Sequence, residues 1–242
     1  MARSRKPGQS WSAALAYTDG RIGRAVALGV KHYAAVYGFK LAHEEVISKA
    51  PFDYIGLMQR IKSKAPDCVL IGLDHTRPDE PMHSCVIEAQ KVGLKQTTIW
   101  LSDNPSPEDS QLGSAIDGVF MRATWVPTDP DPLSKSFAQA FSAAYGIEAE
   151  YHAAGGYASC QVLEQAVEAT GNLDNDAVRK TLLHRTFTTA MGNLRFGENG
   201  LSTGAMKLCQ WQNGKLEIVF LDSERTAAPI LSWKNKEGAV KL

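Results

Sequence analysis

Apolar and polar positions along the chain alternate in blocks that read as strand and helix in turn. Residues 12–17 (SAALAY) form a short apolar run suited to a buried strand, and 21–37 carry a helical pattern that stops at Gly38. A second strand is expected at 40–47 (KLAHEEVI). Asp53 is placed to cap a helix over 54–64, with Ile55, Met58 and Ile61 or Lys62 on its inner side. CVLIGL, residues 68–73, is almost continuously apolar, as expected of a parallel strand covered on both faces. A helix ending at Val92-Gly93, a strand at 97–102 (TTIWLS) and another within DGVFMRATW complete five alternations. That grammar predicts a doubly wound, mostly parallel sheet over residues 11–125.

From Val126 the pattern changes. VPTDPDP is a connector, and Leu133, Phe137, Ala140, Phe141 and Ala144 then make the stripe of an amphipathic helix closed by Gly146. Further helices are expected over 152–170 and from Asp174 to about 184, so three helices follow one another without a strand. Such helices need strands from elsewhere to pack on. Strands return in FTTAMGNLRFGENG and MKLCQWQNGKLEIVFLD, where Asn213-Gly214 is a strong hairpin signal. The expected division is therefore 11–125, then 126–222, with tails at 1–10 and 223–242.

Composition changes this picture little. The 242 residues are 44% hydrophobic and 21% charged, and 26 Lys and Arg balance 26 Asp and Glu. A neutral sum gives no electrostatic reason for nucleic acid or an anionic membrane surface as partner, and no run approaches the length of a membrane span. Cys68, Cys85, Cys160 and Cys209 are too irregularly spaced for a zinc or redox motif and read as buried free thiols. The segment MARSRKPGQS is basic, but no apolar stretch of signal length follows it.

Three polar features fall at the carboxyl ends of the expected strands, where open α/β sheets hold their ligands. T-D-G-R-I-G-R, with Asp19, Gly20, Arg21 and Ile22, has the strand, Gly turn and helix layout that receives anions, yet it is neither a Walker sequence nor a full G-x-G-x-x-G. An ordinary βα turn with solvated Arg21 and Arg24 explains it equally. Asp74, His75, Asp79, Glu80 and His83 are metal-ligand types, but their spacing fits polar loop residues facing a cleft better than a metal site. Asp103, beside Asn104, is placed either to meet a cationic ligand group or to cap a turn. Glu44 and Glu45 are adjacent on a strand and point to opposite faces. No nucleophile elbow, H-E-x-x-H or Cys/His pair is present, so no enzyme activity and no cofactor are expected.

The blocks AALAYTDGRIGRAVALGVK, DYIGLMQRIKSKAPDCVLIGL, EAQKVGL, DGVFMRATW, DPLSKSFAQAFSAAYG, AAGGYASCQVLEQAVEATGNLDNDAVRKTL and FTTAMGNLRFGENG, followed by CQWQNGKLEIV, occur in this order. In that order they resemble the leucine/isoleucine/valine-binding protein family, the type I periplasmic binding proteins of ABC transporters. The resemblance covers about residues 12–222. It implies two α/β lobes joined by a hinge and closing on a small solute, without covalent chemistry. Residues 11–125 then look like one complete lobe, and the later helices like the end of a partial lobe lacking its N-terminal strands. The opening part of the family pattern, signal peptide included, precedes the first residue here.

By the same resemblance the ligand meets Asp19, Gly20, Arg21 and Ile22, then His75 or Thr76, then Asp103 with Asn104. Ile22 departs from the family's usual aromatic. Asp103 falls where branched-chain binders keep an acid for the ammonium group, and Tyr151 and His152 are further rim positions. The implied function is extracytoplasmic delivery of an amino acid or related small polar solute to a membrane permease. A sensor domain of the same fold and a nucleotide-dependent α/β enzyme are the alternatives.

Overall fold

The computed structural model describes residues 11–48, 52–74, 82–95, 98–102, 107–204, 206–220 and 223–231. Strands β1 (Ser12–Thr18), β2 (Lys40–Ile47), β3 (Cys68–Gly72), β4 (Ile99–Leu101) and β5 (Phe120–Ala123) alternate with helices α1 (Arg21–Tyr37), α2 (Tyr54–Ser63) and α3 (Met82–Lys91). A 3-10 segment over Pro107–Ala115 stands between β4 and β5. Then come α4 (Pro132–Tyr145), α5 (Tyr151–Thr170), α6 (Asn175–His184) and the strands β6 (Thr186–Thr189), β7 (Gly192–Arg195), β8 (Lys207–Gln212) and β9 (Lys215–Phe220).

The large sheet has seven strands in the order β2-β1-β3-β4-β5-β8-β9. Its first five strands pair in parallel, and β8 and β9 add to β5 antiparallel. β8 and β9, expected with the 126–222 region, thus complete the sheet of the first. Residues 223–231 are also no free tail: Thr226 donates its amide to the Ile218 carbonyl, and the Gln210 side chain bonds both the amide and the carbonyl of Ile230.

Local chemistry explains the helix ends. Gly38, Gly146 and Gly171 take the left-handed conformation that closes α1, α4 and α5, which a side chain would strain. Asp53, Asp131, Glu150 and Asp174 accept hydrogen bonds from the first amides of α2, α4, α5 and α6. In α2 the phase differs from expectation: Leu57, Met58 and Ile61 are buried, whereas Ile55 is 44% exposed. Asp53 caps Gly56, and this sets the first turn so that position 55 looks outward.

One face of the sheet is covered by α2 and α3 over Val69, Ile71, Leu101, Met121 and Trp211. The other carries α1, whose buried residues Gly23, Ala27 and Ala34 are all small and bring the helix axis close to the strands. β2 is an edge strand whose two glutamates are paired on opposite sides. Glu44 meets Lys31 and the Tyr17 hydroxyl, while Glu45 meets Arg60 and His43. The adjacent glutamates do point to opposite faces.

The chain leaves this sheet after β5 and returns at β8. Between these points α4, α5 and α6 pack with the two-stranded sheet β6-β7 around two small clusters, Trp125 with Phe137, Ala149, Ala154 and Ala190, and Val162 with Ala166, Val178 and Phe187. Trp125 donates its indole N–H to Ser134 Oγ at 2.6 Å. Much apolar surface stays in solvent here, Tyr145, Tyr157 and Leu163 among it. The connector is held by Lys207 Nζ, buried between Asp129 at 2.9 Å and Glu224.

Candidate functional site

The carboxyl edge of the parallel strands brings together the loop after β1, Asp74 after β3, Ser102 after β4, and Arg122 near the end of β5. Its centre is Asp74. This carboxylate is buried and accepts hydrogen bonds from Thr18 Oγ1 (2.9 Å) and from the amides of Ile22 (3.0 Å) and Gly23 (3.0 Å). Those amides are the free donors of the first turn of α1, where the helix dipole also favours a negative charge. Asp74 therefore occupies the anion position that the T-D-G-R-I-G-R turn offers. A phosphate has no vacant place there.

Two glycines make the arrangement fit. A Cβ on Gly20 would lie 2.1 Å from Asp74 Oδ2, and one on Gly23 would lie 2.2 Å from the Thr18 carbonyl oxygen. Both clash distances are far below van der Waals contact, so each position excludes a side chain unless its neighbour moves. The glycines shape this turn for a carboxylate of the same chain.

The expected ligand residues divide as follows. Asp19 is exposed and paired with Arg24 at 2.8 Å, Arg21 is exposed at the start of α1, and Ile22 is half-buried with its amide committed to Asp74. Gly20 is the residue before the helix. These four share the carboxyl edge. His75, Thr76, Asp103 and Asn104 lie outside the described residues. Tyr151 opens α5, lies tilted against the His152 ring at 4.0 Å between ring centroids, and packs against the Trp125 cluster.

Asp74 leaves the metal-ligand set suggested by the Asp74, His75, Asp79, Glu80, His83 run, because it is turned toward α1. His75, Asp79 and Glu80 lie outside the described residues. Among the described residues no group of three or more His, Cys, Asp or Glu could hold a metal ion. No helix among them is long and apolar enough to cross a membrane. Cys160 corrects the expectation of four buried thiols: it is exposed, whereas Cys68, Cys85 and Cys209 are buried.

Sequence reasoning passed over Arg122. It is half-buried at the end of β5, its Nε donates to the Ser102 carbonyl, and its Nη1 lies 4.0 Å from Met206 Sδ. Its signal was a lone charge inside the apolar run VFMRATW. A cation at that place in a strand covered on both faces calls for a partner.

A doubly wound sheet with polar loops gathered on its carboxyl edge, which the chain leaves for a second unit and then re-enters, matches the fold of the type I periplasmic binding proteins over about 60% of their length. The periplasmic binding protein family model matches residues 1–215, and the chain belongs to that family. It is 24% identical over 212 residues to the Leu/Ile/Val-binding protein homolog 3 of Brucella melitensis, covering 84% of this chain and 55% of the relative. It is 25% identical over 179 residues to the leucine-, isoleucine-, valine-, threonine- and alanine-binding protein of Pseudomonas aeruginosa, covering 74% of this chain and 47% of that protein. Among solved structures, an amino acid ABC transporter substrate-binding protein from Pseudomonas fluorescens Pf-5 superposes with a TM-score of 0.75 at 17% identity, over 89% of this chain and 61% of the other. The chain thus spans about half the length of the curated relatives it matches.

Proposed function

We propose that this chain is the ligand-binding portion of an extracytoplasmic solute-binding protein that serves an ABC transporter, and that its solute is an amino acid, branched-chain or a related small polar compound. The carrying observation is the clustering of βα loops on one sheet edge in a member of a family of solute binders. Asp19, Gly20, Arg21 and Ile22 form one wall of the site, with His75, Thr76, Asp103 and Asn104 contributed from the neighbouring loops. Asp103 is assigned to the solute's ammonium group and Tyr151 to the rim. The permease is the macromolecular partner.

Binding works by differential affinity for a closed arrangement rather than by covalent chemistry. The residues named here belong to one wall, and one wall alone holds a solute weakly, so leucine binding through them is expected in the millimolar range, about −4 kcal/mol, rather than the micromolar. The nucleotide-dependent enzyme alternative is disfavoured by the self-filled anion position at α1.

Titrating leucine, isoleucine and valine into 15N-labelled protein tests the reading. Saturable shifts at the amides of Ile22 and Gly23 are expected, with no rise in melting temperature from NAD or ATP. No response from any of the three up to tens of millimolar, or a dinucleotide-induced rise, overturns it.

A further inference from the structure

We propose that Arg122 is the anion-binding group of this cleft, so that the solute carries a carboxylate joined to an apolar body. The proposal rests on the solute-binding reading above and specifies the chemistry of the same edge. Alternation along β5 puts Phe120 and Arg122 on the α1 side of the sheet, where Phe120 stacks on Trp100 at 4.3 Å. That leaves the guanidinium at the carboxyl end, spanning from Ser102 after β4 to Met206 before β8.

Three other cations packed on this sheet have carboxylate partners: Lys31 meets Glu44, Arg60 meets Glu45, and Lys207 meets Asp129 and Glu224. No carboxylate among the described residues lies within ion-pair range of Arg122. A half-buried charge that has given up water without gaining a counter-ion is costly, and an arriving anion removes that cost. The backbone carbonyl of Ser102 takes Nε and fixes the plane of the fork. Nη1 faces only the weak acceptor Met206 Sδ at 4.0 Å, which an incoming carboxylate can displace to be gripped end-on by the two Nη groups, with a geometry that lysine cannot reproduce.

The surface beside it sets the rest of the solute. Met206 also lines a cleft of about 650 Å³ whose wall includes Leu163, Met191, Leu194 and Phe196, with Thr124 just after β5. An apolar cleft that shares Met206 with a fixed cation suits a molecule with one anionic end and a branched or aromatic body.

The test uses the full 15N-labelled chain and three probes that split leucine's chemistry: isocaproate, which has the carboxylate without the ammonium, isocaproamide, which has neither charge, and isoamylamine, which has only the ammonium. Isocaproate is expected to shift the Arg122 Nε–H resonance saturably and to bind roughly tenfold more tightly than isocaproamide. Arg122→Gln should erase that preference, and Arg122→Lys should restore part of it. Equal binding of isocaproate and isocaproamide by the wild type overturns the proposal without recourse to any variant. So does an unchanged preference in Arg122→Gln, or no isocaproate response at all. Leucine-induced shifts at Ile22 and Gly23 in the same samples would leave the solute-binding reading standing when the Arg122 assignment fails.

Discussion

Gly20 and Asp74 are in contact because one of them has no side chain: the Cβ that an alanine would place at 20 falls 2.1 Å from Asp74 Oδ2. Among the described residues, the carboxylate held in that space accepts hydrogen bonds from the Ile22 and Gly23 amides in the first turn of α1 and from Thr18. Gly20→Ala must displace it. The expected loss is about 2–3 kcal/mol in urea unfolding, and Asp74→Ala should cost a similar amount by leaving two amides unpaired. Because both changes break the same contacts, the double variant should be clearly less destabilised than the sum. Additivity would show that Gly20 matters for another reason.

Lys207 joins the large sheet to the connector and to the segment after β9. Burial works to lower its pKa, but the hydrogen bonds it donates to Glu224 and Asp129 outweigh it and the net direction is upward. Lys207→Met leaves Asp129, only 3% exposed, without its cation. A loss of about 3–5 kcal/mol is expected. The combined Lys207→Met, Asp129→Asn protein should recover much of it, and failure to recover would place the cost elsewhere.

Glu45 supplies a pH-dependent increment. The Arg60 hydrogen bond holds its carboxyl below the ordinary glutamate value of 4.5, against burial, which acts to raise it, and with help from His43. A folded pKa lower than the unfolded one means that the stabilisation is complete above about 4.5 and is lost as pH falls through the lowered value. The pair is partly exposed, so about 0.5–1 kcal/mol is at stake. Unfolding of wild type and Glu45→Gln should differ by that amount at neutral pH and converge as the pH falls through the lowered Glu45 value. A gap that persists in acid would contradict the assignment.

The thiols should differ sharply in reactivity. Burial pushes the Cys68 and Cys209 thiols up to about 12, and Cys85 is buried as well, whereas Cys160 on α5 is exposed. Native protein at pH 8 should react with Ellman's reagent at a single fast site, and Cys160→Ser should remove it. A second fast thiol would show that the sheet opens locally.

What the sequence determined on its own was whatever rests on neighbours along the chain. The spans of α1 and β2, the capping by Asp53 and Asp174, the left-handed glycines at 38 and 146, and the Asn213-Gly214 hairpin follow from local backbone preference and from hydrophobic period, so they were legible directly. The ordered family blocks were legible too, because they preserve those local units in series.

Tertiary structure alone decided the contacts that span long stretches of chain. Asp74 lies 51 residues from Gly23, and no local rule distinguishes a carboxylate that caps a distant helix from one that faces a cleft. The pairing of β8 with β5 rather than with the strands nearer in sequence, the outward turn of Ile55 and Cys160, and a guanidinium at Arg122 with no carboxylate partner among the described residues depend on which surfaces meet when the sheet assembles. Burial and pairing are properties of that assembled surface, and for that reason the turn that reads as an anion receptor in the sequence is, in the fold, already filled by Asp74.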